Sequence, residues 1–380
     1  MKITRIETIV ADLGHRNSVF IRTHTDEGIY GVGEAYPVGP DMATPVWVDY
    51  FSDQLVGQDP RRIEHLWALM YQGARFPPGS SGLSALSGID QSLWDILGKS
   101  MDLPVYKLLG GRVRDRVPVY LDIDWDNPDD DQREKVQKAV GDGFTAFKTG
   151  PLRSNWREVL WGEALEQGRQ DMAALRELVG PDAEIGLDAH AQQLEPSTAL
   201  QLAIILAEYN PWFVEEPLRM ENRHAMAELR KKMPVPLATG ECLYTKFEFD
   251  ELIRAGAVDI VQPDICICGG MTEMRKIAAI SEAHDIVVAP HNPVGPLATV
   301  VNIHFAAAIS NFLVLEYSPH SETEMSMIEG ALMPVDGFFE IPDSPGWGVD
   351  IVDDVIQDHP YRGAWHRPDR VNPDGSVAYI

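Results

Sequence analysis

The fold this sequence predicts is an α/β protein: a modified (β/α)8 barrel of the TIM type under an α+β N-terminal capping domain that the C-terminal tail completes. Three observations predict it. The chain has 380 residues, room for two domains or one large barrel with attachments. Residues 2–36 alternate like strands and lead into helical periodicity. From about residue 117 strand-like and helix-like stretches alternate, and the strand-like ones number eight.

The capping domain is expected over residues 1–115. Strands fit residues 2–13 and 18–36, with Asp26-Glu27-Gly28 turning the chain within the second stretch. A helix over 60–73 follows Pro60, and Leu83, Leu86, Ile89 and Leu93 recur on one face of a second helix over 83–99. Between them, Phe76-Pro77-Pro78-Gly79-Ser80-Ser81-Gly82 has the composition of a loop.

The barrel is expected over 116–325. Its strands are predicted at 117–123, 144–149, 184–189, 212–216, 236–240, 257–263, 285–290 and 312–317, separated by helices that include 161–179, 195–208, 245–255 and 271–284. Such alternation calls for a parallel sheet. A doubly wound open sheet is the alternative, but no Gly-x-Gly-x-x-Gly follows the first strand. Residues 326–380, rich in Asp, Pro and Gly, are expected to fold back on the cap.

Composition excludes several classes. The chain is 44% hydrophobic and 24% charged, and no apolar run approaches the roughly 18 residues that cross a bilayer. The opening Met1-Lys2-Ile3-Thr4 lacks a signal-peptide core, so a cytoplasmic protein is expected. A net charge of −26 repels nucleic acid. Lysine is scarce, with none between Lys148 and Lys231; this suits either a high-salt habitat or an acidic protein that prefers Arg. Cys242, Cys266 and Cys268 cannot all pair and lack zinc spacing, so they read as reduced packing or lining thiols.

In a parallel barrel the chemistry sits where strands end. Those ends carry Lys148, Asp188, Glu215, Glu241, Asp264, His291 and Glu316, and from Asp188 onward the gaps are 27, 26, 23, 27 and 25 residues, about one βα unit each. Asp188, Glu215 and Glu241 come from three successive strands, and a threefold carboxylate set suits Mg²⁺. In Phe213-Val214-Glu215-Glu216-Pro217 the alternation of a strand sends the two glutamates to opposite sides, so one of them is the ligand. Asp264 and His291 end successive strands, where a carboxylate on one ring nitrogen raises the basicity of the other. His190, two residues past Asp188, is expected on the same strand face.

These stretches resemble the enolase superfamily, specifically its mandelate racemase branch and the sugar-acid (galactonate-type) dehydratases within it. The matching segments are Gly186-Leu187-Asp188-Ala189-His190, Trp212 to Pro217, Ala238-Thr239-Gly240-Glu241, Gln262-Pro263-Asp264 and Ala289-Pro290-His291-Asn292-Pro293-Val294-Gly295-Pro296. Leu86 to Ile96, Leu108-Leu109-Gly110-Gly111 and Asp374-Gly375-Ser376-Val377 extend the likeness along nearly the whole chain.

The resemblance implies Mg²⁺ held by Asp188, Glu215 (the first of the paired glutamates) and Glu241. It implies proton abstraction next to a carboxylate by a His291–Asp264 pair, with His190 as the acid for a departing hydroxyl. Glu316 then bonds the substrate carboxylate or its enediolate. Many racemases and cycloisomerases of this branch end the second barrel strand with Lys-x-Lys; here it reads Lys148-Thr149-Gly150. One base and one acid suit elimination, and Lys148 remains as positive charge or as a solvated rim lysine. Cys242 departs from the basic residue common after the third ligand, which affects contacts to the far end of the substrate.

The expected function is Mg²⁺-dependent dehydration of an aldonate to a 2-keto-3-deoxy acid. An epimerase, racemase or cycloisomerase on the same scaffold is the alternative, and a non-catalytic binding paralogue the second. Superfamily members commonly assemble, so a homo-oligomer is expected. Loops 13–18 and 36–42, with His15 and Arg16, are the expected lid. His24, His65, His224, His284, His304, His320, His359 and His366 are expected at structural or surface positions.

Overall fold

Three antiparallel strands open the chain: β1 (Ile3–Asp12), β2 (Asn17–Thr25) and β3 (Tyr30–Ala35). The computed structural model describes residues 1–191, 195–364 and 371–377; His366 lies outside them. Behind the sheet pack α1 (Ala43–Leu55), α2 (Ile63–Gly73), α3 (Gly79–Met101) and the single turn α4 (Val105–Leu108). The predicted loop over 76–82 is shorter than its composition suggests, because α3 begins at Gly79. Gly82 serves packing rather than a turn: a Cβ there would stand 3.0 Å from the ring of Trp47. Helix α3 is buried almost all round because it lies between β3 and the barrel. Its Trp94 Nε1 donates to Thr272 Oγ1 at 2.8 Å, and Asp90 Oδ2 accepts from the Thr272 N–H at 2.9 Å.

The barrel strands are β4 (Arg116–Asp122), β5 (Ala146–Thr149), β6 (Glu184–Asp188), β7 (Phe213–Glu215), β8 (Leu237–Thr239), β9 (Ile260–Val261), β10 (Val287–Val288) and β11 (Leu315–Tyr317). They run parallel in the order β10-β9-β8-β7-β6-β5-β4-β11, and each falls on one of the eight predicted stretches. A parallel bridge between Val288 and Phe312 joins the two ends of that order and closes the ring. Helices α5 (Asp130–Gly141), α6 (Trp161–Val179), α7 (Pro196–Leu206), α8 (Arg223–Arg230), α9 (Thr245–Arg254), α10 (Gly270–Glu282) and α11 (Pro296–Ala308) follow β4 to β10 in turn. The short α12 (Glu322–Ser326) follows β11 in place of a full barrel helix, and this is the modification of the barrel. Tyr120, Phe213, Ala238, Ala289 and Val314 fill the interior, so the open end is the mouth under the cap.

The tail divides its contacts instead of packing on the cap alone. After β12 (Ile328–Glu329), β13 (Phe338–Glu340) pairs antiparallel with Arg116–Pro118, the part of β4 that precedes its pairing with β11. Covering those otherwise unpaired backbone groups is the physical reason. Then β14 (Asp350–Ile351) and α13 (Asp353–Gln357) reach the cap, where Arg22 pairs with Asp353 at 2.9 Å. Among the described residues no helix is long and apolar enough to cross a membrane.

His304 joins cap, barrel and tail. Its Nδ1 accepts from the Tyr106 N–H at 3.2 Å, so Nε2 carries the proton and donates to the Trp347 carbonyl at 3.1 Å. Burial lowers its pKa from 6.5 to about 4. The unfolded chain therefore takes up this proton first, and stability is lost as pH falls from 6.5 towards 4, by about 3 kcal/mol from this group. His304→Gln can keep both hydrogen bonds but cannot titrate. The gap in Tm between wild type and His304→Gln should narrow between pH 7 and pH ~4.5. An equal gap at both pH values would show that His304 contributes nothing to acid sensitivity.

Candidate active site

Of the seven ionisable residues, Lys148, Asp188, Glu215 and Glu316 lie at the last or next-to-last residue of their strands, and Glu241, Asp264 and His291 stand two or three residues past theirs. The phase of the βα units brings them to one rim. Lys148 is their hub. Its ammonium lies 3.0 Å from Asp188 Oδ2, 3.2 Å from Glu215 Oε2 and 2.7 Å from Glu316 Oε1. It is buried, so the solvated-rim alternative is excluded. Burial works against its charge, yet the three carboxylates outweigh it and hold the pKa well above the usual lysine value. Asp188 and Glu316 are held below the carboxylate range despite burial, mainly by that ammonium. Glu215 is pushed well above it by burial and by Asp188.

Asp188, Glu215 and Glu241 each offer an oxygen within 4.8 Å of the others. Lys148 pairs with Asp188 and Glu215 but is shared with Glu316, and Glu241 faces the His291 ring at 3.3 Å with its buried Oε2 making no hydrogen bond. An all-oxygen set short of positive charge fits a hard divalent cation.

The expected separation of Glu215 and Glu216 is corrected by the backbone. Strand β7 ends at Glu215, and Glu216 has φ +43°, a left-handed angle that breaks the alternation. Both carboxylates therefore come near Glu241, Glu216 in a second group with Cys242. Glu216 Oε1 accepts from Thr239 Oγ1 at 2.8 Å, and burial together with Glu241 pushes its carboxyl up to about 8.

His291 and Asp264 meet as a pair. His291 Nδ1 donates to Asp264 Oδ2 at 2.8 Å, which directs Nε2 towards the mouth, 3.3 Å from Glu241 Oε2. Burial opposes a charge on this ring, but Glu241, Glu316 and Asp264 outweigh it and raise the pKa well above 6.5. Asp264 Oδ1 accepts from the Cys266 N–H at 2.7 Å, which fixes the carboxylate. No strand runs through Cys266 and Cys268. Backbone bonds from residues 267 and 268 to the Asp264 carbonyl make a turn, and both thiols are buried.

His190 reaches the site by a route other than strand alternation. Strand β6 ends at Asp188 and His190 has φ +46°; its N–H donates to Asp188 Oδ1 at 3.0 Å and its Nε2 returns to 3.4 Å from Asp188 Oδ2. The side chain is 49% exposed, open to a cavity of about 840 Å³. Cap residues including His15, Tyr36 and Asp41 roof that cavity, as the expected lid requires. Arg16 also lines it, with its guanidinium donating to the carbonyls of Pro293 and Val294 and pairing with Glu324 at 3.1 Å. His320 lies against Thr299, outside the cavity lining.

Asp122 is the lining residue the sequence reading missed. It ends β4, beside Lys148 on β5, and burial pushes its carboxyl up to about 6. The signal was available, because Asp122 precedes Lys148 by 26 residues, the same βα phase.

A cap over a (β/α)8 mouth with three converging carboxylates and a His–Asp pair defines the enolase type of protein. The chain belongs to the mandelate racemase/muconate lactonizing enzyme family of that superfamily. Residues 3–110 match the family model of its N-terminal domain, and residues 131–355 match the enolase C-terminal domain-like model. D-galactonate dehydratase of Ralstonia nicotianae is 36% identical over 387 residues, covering 100% of both chains. The protein of the same name from Verminephrobacter eiseniae is 36% identical over 395 residues, again covering 100% of both. Among solved structures, an enolase from Agrobacterium radiobacter superposes with a TM-score of 0.95 at 42% identity over 100% of both chains. It carries the provisional name galactarate dehydratase and was solved with Na and L-malate bound.

Proposed function

We propose that this chain is a Mg²⁺-dependent hydro-lyase that removes water from C2 and C3 of an aldonate to give a 2-keto-3-deoxy acid. The observation that carries the reading is one base and one acid on separate strand ends. His291 is tied to Asp264 at 2.8 Å, His190 stands beside Asp188, and no second lysine follows Lys148. The names of the relatives and the fit of the acidic trio to a cation support it.

From the neutral ring His291 Nε2 takes the C2 proton, because Nδ1 is committed to Asp264; the negative charge of Glu241, which otherwise helps keep this ring protonated, would be offset by a cation held there. The electron pair left at C2 forms the C2–C3 double bond as the C3–O bond breaks. His190 gives its proton to the departing hydroxyl, which leaves as water, and the enol tautomerises to the ketone. Lys148 and Glu316 stand at the substrate's carboxylate end, the ammonium drawing negative charge and the carboxyl accepting or sharing a proton. Bound at Asp188, Glu215 and Glu241, a divalent cation would supply Lewis-acid stabilisation of the charge that develops on that carboxylate.

The test is a panel of aldonic and aldaric acids, D-galactonate among them, incubated with Mg²⁺ and assayed for 2-keto-3-deoxy products. Turnover is expected with an aldonate, lost on chelation and restored by Mg²⁺. An epimerised or cyclised product would assign the scaffold another reaction, and no turnover across the panel would overturn the reading.

A further inference from the structure

The loop that carries the base, His291 to Gly295, is held from the cap side by Glu34 of β3. Glu34 is fully buried, and its Oε2 accepts from the backbone N–H of Ala298, at 2.9 Å, in the first turn of α11. That helix starts immediately after the base loop, and its N-cap residue, Gly295, has no side chain to satisfy the free N–H groups. A carboxylate from the other domain does so instead, where the helix dipole favours it. Glu34 Oε1 makes no hydrogen bond, and a Cβ on Gly295 would stand 2.3 Å from it. Burial pushes the carboxyl up to about 7.

The end of β3 also touches the other half of the pair. Tyr36 lays its ring against the His291 imidazole, centroids 6.2 Å apart, and its N–H donates to the carbonyl of Cys266, two residues past Asp264. The base loop thus has cap contacts at its start, through Tyr36, and at its end, through Glu34. Arg16 adds a third in the middle, on the carbonyls of Pro293 and Val294. None of these contacts is to Asp188, Glu215 or Glu241, so the grip is selective for the base side of the mouth.

We infer that Glu34 is a positioning residue: by capping α11 from the other domain it holds His291 in register with Asp264 for proton abstraction. The inference rests on His291 being the base, and its test separates the two. Glu34→Met removes the acceptor at similar volume, whereas Glu34→Gln keeps an acceptor for the Ala298 N–H. Hydrogen–deuterium exchange of the metal-free protein is read first, since it needs no substrate. Glu34→Met should deprotect the peptide spanning 291–299 while the 184–189 and 213–216 peptides keep wild-type protection. Glu34→Gln should restore the loop.

With the aldonate that the wild type turns over, kcat of Glu34→Met should fall at least about tenfold, because small misplacements of a catalytic group cost that much. KM and the Mg²⁺ affinity by calorimetry should stay within about threefold. Gly295→Ala presses on the same carboxylate from the other side and should repeat the signature, which keeps the inference testable if Glu34→Met folds poorly. Unchanged exchange at 291–299 in both variants would overturn the inference. So would a loss of Mg²⁺ affinity in step with kcat, which would mean general loosening of the mouth.

Discussion

Asp188→Ala, Glu215→Ala and Glu241→Ala should each abolish Mg²⁺ binding by calorimetry and reduce dehydration below about one part in 10³ of wild type, while the fold survives. The physical argument is the packing of the three carboxylates, with oxygens within 4.8 Å, Lys148 against Asp188 and Glu215, and the His291 ring 3.3 Å from Glu241. Removing Glu215, whose carboxyl burial and Asp188 push up, relieves repulsion in the metal-free state, so the thermal stability of Glu215→Ala without Mg²⁺ should not fall in proportion to activity. Glu216→Ala is the discriminating variant. Its carboxylate is engaged with Thr239 at 2.8 Å and lies outside the Lys148 hub, so it should cost no more than about 10–100-fold in metal affinity. A Glu216→Ala protein with no Mg²⁺ binding, beside a Glu215→Ala protein that still binds, would reverse the assignment of the pair.

The second large effect is loss of the base. His291→Asn should lower dehydration by about 10²–10⁴-fold or more, because a positioned base contributes that much by itself. It should also end deuterium incorporation at C2 of substrate recovered from heavy water, since the second barrel strand offers no other lysine. His190→Asn should lose dehydration yet keep the exchange. Asp264→Asn should be impaired less severely, because Asp264 orients Nδ1 at 2.8 Å without touching substrate. Exchange that survives His291→Asn while dehydration is lost would interchange the base and the acid.

Both predictions use residues that could be named before any coordinates, and the reason is geometric. A parallel barrel repeats one unit, so residues one unit apart arrive at the same rim, and the sequence shows that phase directly from Asp188 to Glu316. The eight strands were visible for the same reason: each is a short apolar run between helical stretches. Helices α5, α8 and α11 were expected between the strands but given no bounds, and α1 was not named. Helix α8 is amphipathic but spans only eight residues, too few to repeat its stripe; α5 buries little beyond Val136 and Ala139, and α11 is buried nearly all round, so no face stands out. Asp122 carried the same phase signal and was missed because the series was begun one strand late.

Alternation rules stopped working where strands stop. Glu216 and His190 both lie just past a strand end in left-handed backbone, and that angle, which no residue pattern announces, decides where each side chain goes.

By itself, the sequence determined the barrel, its cap and the ring of ionisable strand ends, because these follow from local periodicity repeated at a constant interval. Tertiary structure alone decided which of those groups touch: Lys148 at the centre of three carboxylates, and Arg16 spent on the Pro293 and Val294 carbonyls. It also decided that Glu34 caps a helix 264 residues away and that β13 pairs with the start of β4. These are contacts between segments far apart in the chain. They exist only once burial has removed water as a competing partner, and a linear pattern carries no record of them.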